Sequence, residues 1–93
     1  MRMEVKYTKG FLNKLEDIFS ESSYILRYEK GNFKSGYCIL KESQIVIINK
    51  YYTLEGKINC VLEILSQLEI DADQLSAKNA TLLEKIIENA QQE

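Results

Sequence analysis

The sequence predicts a small two-layer α+β domain in the order α-β-β-β-α-α, a three-stranded antiparallel meander packed by helices. Two observations carry this. Apolar residues recur at helical spacing near both ends of the chain, and in the middle they alternate or run together between glycine-bearing and polar breaks. Ninety-three residues is one domain's worth of chain, so residues 1–93 are read as a single unit with one modest core.

Thr8 is placed to cap a first helix, in which Phe11, Leu12, Leu15, Ile18 and Phe19 form one apolar side. Upstream, Met3, Val5 and Tyr7 alternate as a short extra strand would. Tyr24 to Glu29 has period two, with Tyr24, Leu26 and Tyr28 on one face and Ile25, Arg27 and Glu29 on the other. Lys30 to Gly36 has turn composition, and Tyr37 to Lys41 is a second strand. Glu42-Ser43-Gln44 closes a tight hairpin into a third strand, Ile45 to Lys50; if that strand forms an edge, two copies could join their sheets along it. Thr53 caps a long helix whose stripe is Leu54, Ile58, Val61, Leu62, Leu65 and Leu68. Gly56 near its start costs about 1 kcal/mol against alanine unless something packs close to it. Asp71-Ala72-Asp73 is a linker with capping potential. A last helix follows from Gln74 or Ser76, with Leu75, Leu82, Leu83, Ile86, Ile87 and Ala90 in its stripe. Strands two and three are apolar on both faces, so either a crossing helix or a second copy must cover the second face.

Composition excludes more than it identifies. The chain has no histidine, no proline and two cysteines, which removes imidazole metal sites, histidine general bases and thiol–imidazole pairs. No catalytic residue, metal ligand or cofactor is assigned, and the chain is read as a non-enzyme. Glu63 is the one carboxyl on a largely apolar helix, and a cleft joining it to Asn49 and Tyr37 would favour catalysis. Cys38 and Cys60 fall in apolar runs and read as small hydrophobes. With no apolar run near the ~20 residues of a membrane span and no secretory core at the start, the chain is read as cytoplasmic. Net charge is −2, but residues 1–60 carry +3 and residues 61–93 carry −5. A mildly basic front permits an anionic partner.

The candidate contact residues follow. Arg27, Tyr28, Lys30, Phe33, Lys34 and Tyr37 combine cations, rings and glycine-flexed backbone, the ingredients for single-stranded nucleic acid. A plain hairpin with solvated lysines uses the same residues. Asn49 and Lys50 precede a helix start, which offers free N–H groups to an anion; a strand-to-helix corner is the plainer alternative. Six tyrosines without tryptophan suit either a sheet or an interface.

Gly36 to Leu68 holds a hairpin, the Ile47-Ile48-Asn49 strand end, a capped segment with a cation and a long apolar helix. That order resembles the front half of the zincin metallopeptidases that cleave phage-type repressors. Their helix carries His-Glu-x-x-His. Here the matching residues are Leu62-Glu63-Ile64-Leu65-Ser66, so both zinc-binding histidines are replaced. The resemblance therefore implies a scaffold without the catalytic metal. The string Arg27 to Cys38, with Ile47-Ile48-Asn49-Lys50 and Gly56-Lys57-Ile58-Asn59, is similar to a group of short bacterial proteins with no activity attached. The expectation is an interaction module, homodimeric, with weak single-stranded nucleic-acid binding through residues 27–37 as the alternative.

Overall fold

The computed structural model describes residues 5–31 and 36–91. Helix α1 spans Lys9–Glu21, and strands β1, β2 and β3 span Ile25–Glu29, Tyr37–Leu40 and Ile45–Asn49. Helix α2 spans Leu54–Gln67, a 3-10 turn spans Ala72–Gln74, and helix α3 spans Ala77–Gln91. The expected order of elements and the α+β class are present. Residues 5–7 form no strand, and Met3 lies outside the described residues.

Local chemistry sets the helix limits. The Thr8 hydroxyl accepts from Phe11 N–H at 3.1 Å, and that of Thr53 accepts from Gly56 N–H at 3.0 Å. Each answers one of the orphan donors of a first turn. Asp71 does the same for the 3-10 turn, accepting from Asp73 N–H at 2.9 Å. Leu15, Ile18 and Phe19 of α1 meet Ile58, Val61, Ile64 and Leu65 of α2 and Val46 and Ile48 of β3 in one core. Each fully buried aliphatic contributes about 1.5–3 kcal/mol. Leu54, expected in the α2 stripe, is exposed instead.

The three strands do not form the expected antiparallel meander. β1 pairs parallel to β3, β2 pairs antiparallel to β3, and the strand order is β1-β3-β2. The third strand is therefore central, not an edge. β1 ends and β2 begins on either side of the carboxyl end of β3, so no β1–β2 hairpin forms. Asn49 ties the two sides together. Its N–H donates to Gly36 O at 2.9 Å and its Nδ2 to Gly31 O at 3.4 Å, while Lys50 N–H donates to Glu29 O at 3.1 Å. The physical reason lies in β3 itself. Ile45-Val46-Ile47-Ile48 is apolar on both faces, and the centre of a sheet shields such a strand from both edges.

The β2–β3 hairpin is present, closed by four residues, Lys41 to Gln44. Gln44 sits at φ 55°, a left-handed conformation that costs a non-glycine residue about 1–2 kcal/mol. Gln44→Gly is expected to raise stability by about 0.5–1 kcal/mol, net of the lost Gln44–Ser23 hydrogen bond. Urea melts of the two proteins test this; a lower midpoint in the variant contradicts it.

α1 and α2 lie on the sheet, and α3 packs on α1 and α2. The seam between α1 and α3 is polar. Asn79, 2% exposed, donates through Nδ2 to Asp17 Oδ2 and Glu21 Oε1, both at 2.9 Å. Glu21 Oε1 also accepts from Ser76 N–H at 2.9 Å. These bonds, the Ser76 backbone first and Asn79 second, hold the Glu21 carboxyl below the usual glutamate range. A depressed folded value means that this stabilisation is complete above the unfolded glutamate value and is lost as pH falls through the folded one. Glu21→Gln is expected to be less sensitive to acid between about pH 5 and pH 3 than the parent. Urea midpoints across that range measure it, and parallel curves contradict it.

Candidate functional site

Alternation divides the strands between two environments. Leu26 and Tyr28 of β1, Tyr37 and Ile39 of β2, and Val46 and Ile48 of β3 face the helices and join or flank the core. Ile25, Arg27 and Glu29, Cys38 and Leu40, and Ile45, Ile47 and Asn49 point the other way. No apolar member of this second set belongs to the core. The register aligns them in rows: Ile25 beside Ile45 beside Leu40, then Arg27 beside Ile47 beside Cys38. Ile25 is 53% exposed and Leu40 42%, while Ile45, Ile47 and Cys38 are half-buried. Among the described residues, no helix covers this face.

The only charges in these rows lie on β1, where Arg27 Nη1 stands 3.6 Å from Glu29 Oε2. Both side chains are about half exposed, so this pair contributes little stability, on the order of 0–1 kcal/mol. It leaves the face neutral.

The eight expected contact residues are dispersed. Arg27 and Asn49 lie on the uncovered face. Tyr28 points to the helices, where its hydroxyl donates to Glu16 Oε2 at 2.5 Å and Lys57 Nζ lies 5.3 Å from its ring. Burial first, then the Glu16 carboxylate, raises the Tyr28 phenol well above its ordinary range, so it stays a donor. Tyr37 also faces the helices, accepting from Gln67 Nε2 at 3.1 Å. Burial raises its phenol, the Gln67 bond opposes this, and the nearby Glu63 carboxylate adds to it. Lys30 and Lys50 are exposed at the carboxyl ends of β1 and β3, and Lys50 Nζ lies 5.2 Å from the Tyr51 ring. Phe33 and Lys34 lie outside the described residues.

Asn49 is a corner piece, since its Oδ1 accepts from Tyr51 N–H at 3.0 Å in addition to the bonds around Gly31 and Gly36. Tyr52 completes the corner. Its ring lies over Gly36, at φ 84°, and against Gly56. A Cβ at Gly36 would come within 2.4–2.5 Å of ring atoms, and one at Gly56 within 3.0 Å. Gly56 therefore serves the close approach that its place in a helix start requires.

Glu63 is exposed and lines a cleft of about 380 Å³ between α2 and α3, with Tyr7, Asn59 and Ser66. Tyr7 OH donates to Asn59 Oδ1 there at 2.9 Å. Asn49 stands on the opposite side of the sheet, so Glu63, Asn49 and Tyr37 do not line one cleft. Cys60 is buried; desolvation first, then the Glu63 charge, raises its thiol and keeps it protonated. Cys38 is a free thiol on the uncovered face. Among the described residues, no group of three or more Cys, Asp and Glu side chains is placed to hold a metal ion. None of the described helices is long and apolar enough to cross a membrane.

Two features were missed from sequence. The tyrosine between two glycines had a signal in Gly36, Tyr52 and Gly56, read separately. Asn79 stood as a lone amide four residues from Leu75 and Leu83 in the α3 stripe, a position that implies a buried partner.

Comparisons with protein-family models, with curated proteins and with solved structures find no match to this chain.

Proposed function

We propose that this chain is a non-enzymatic interaction module of the cytoplasm that works as a homodimer. The observation behind this reading is the uncovered sheet face, five apolar side chains in aligned rows with a balanced Arg27–Glu29 pair at one margin. A second copy suits such a surface. It supplies the same apolar rows, and one cation with one anion makes the face complementary to itself under a two-fold axis.

Size sets the strength. Three strands about 4.8 Å apart and five residues of about 3.3 Å give a face of about 14 by 16 Å. This is well below the ~800 Å² per partner of a standard interface, so the dimer is expected to be weak and concentration-dependent. Methyl NMR over a dilution from about 500 µM to about 10 µM tests the reading. Leu40 and neighbouring face methyls are expected to shift with concentration while Leu15, Ile58 and Val61 hold still. Spectra independent of concentration would refute it.

One observation favours a second reading. Glu29 O accepts from Lys50 N–H, so Lys30 and Lys50 stand side by side, next to Tyr51 at 68% exposure. Two cations and an open ring can hold a single-stranded nucleic acid weakly. A labelled oligothymidine would then bind with a steep salt dependence and lose most affinity on Lys30→Ala with Lys50→Ala. Binding indifferent to salt rules this out.

A further inference from the structure

Resting on the homodimer reading, we propose that two copies join along β2, antiparallel, about a two-fold axis at Ile39, to make one continuous six-stranded sheet. The inference comes from the hydrogen-bond phase of the β2–β3 ladder together with the chemistry of the two sheet edges.

Antiparallel neighbours alternate between pairs that exchange both backbone bonds and pairs that exchange none. Asn49 N–H donates to Gly36 O, which fixes the phase. Stepping by two along the observed register, Cys38–Ile47 and Leu40–Ile45 are hydrogen-bonded pairs, whereas Tyr37–Ile48 and Ile39–Val46 are not. The N–H and C=O of Ile39 therefore point away from β3, towards the outer edge. No strand among the described residues pairs with that edge.

The two edges of the sheet differ in protection. β1 carries Arg27 and Glu29, charges of the kind that discourage another strand from adding. β2 reads Tyr37-Cys38-Ile39-Leu40, with no charge and no proline, and its register runs unbroken opposite β3. An apolar, regular edge is the one on which a further strand docks. With the axis at Ile39, each copy's Ile39 N–H donates to the Ile39 carbonyl of the other. Cys38 then lies directly opposite Leu40 of the second copy on the uncovered face. That contact covers Leu40, one of the two most exposed aliphatics on this face. Stacking of the two uncovered faces is the competing arrangement. It leaves the Ile39 backbone open to water and puts all five apolar side chains in contact.

Amide exchange on the unmodified protein separates these arrangements, read by NMR at about 5 µM and about 500 µM. For a dissociation constant of about 50 µM, monomer falls from most of the protein to about a fifth, and Ile39 N–H exchange slows about fourfold. Cys38 and Leu40 amides, bonded to β3 within each copy, change much less. A variant supplies the second arm. Ile39→Pro removes an N–H that β3 does not use, a place where a strand tolerates proline. It is expected to remain folded and monomeric at concentrations where Ile39→Ala, which keeps the N–H, dimerises. A dimer with concentration-independent Ile39 exchange overturns the β2 seam, supports face stacking and leaves the homodimer reading standing. A wild-type monomer at every concentration overturns both. Should the proline variant unfold, the wild-type exchange data decide alone.

Discussion

Gly36→Ala is expected to lower stability by about 3 kcal/mol. Two costs combine. An alanine at φ 84° pays about 1–2 kcal/mol for left-handed backbone. Its Cβ also falls 2.4–2.5 Å from the Tyr52 ring, and overpacking of this kind costs about 1–3 kcal/mol. Against the 5–15 kcal/mol of a typical domain this is a large fraction, and the melting temperature should fall by more than about 12 °C. The two parts separate in a double-mutant cycle. In a Tyr52→Ala background the clash is gone and the backbone cost remains, so the same glycine change should cost only about 1–2 kcal/mol. Equal costs in both backgrounds would show that the ring does not rest on Gly36.

Asn79→Asp is the second large effect, from a change of one atom type at constant shape. Asn79 is buried and gives both amide hydrogens to carboxylates, Asp17 and Glu21. The substitution replaces that donor by a third carboxyl facing two others. Asn79 alone is buried while Asp17 is exposed and Glu21 half-buried, so losing the two donated bonds and adding a like charge costs about 1–3 kcal/mol at neutral pH. The sign with pH is distinctive. Burial and two like charges raise the introduced carboxyl above its unfolded value, so its penalty is present above that range and fades as pH falls. Urea midpoints of parent and variant should converge from pH 7 towards about pH 4, whereas a gap constant with pH contradicts the assignment.

The limits of sequence reading lie in the strands. Thr8, Thr53 and the 3.6-residue stripes located α1 and α2 because capping and amphipathicity are local. Strand existence was legible for the same reason, and alternation assigned each residue to its face. Neighbour order was not, because period two says which residues share a face and nothing about which strand lies beside it. The seven residues 30–36 read as a hairpin turn, yet a link that long reaches well past the ~10 Å needed to skip one strand. A better cue was present in β3, the most apolar of the three strands, beside β1 with its edge-like charges. The contact residues suffered likewise. Tyr28 and Tyr37 looked like members of one cationic loop, but parity turns both inward, to Glu16 and Gln67. Arg27, one position before Tyr28, faces the other way.

Static light scattering on the unmodified chain is the most direct test of a homodimer. The mass is expected to rise from near 10.8 kDa at about 5 µM to more than one and a half times that value at about 200 µM. A mass of 10.8 kDa at every concentration would contradict it, and with it both the β2 seam and the stacking of sheet faces.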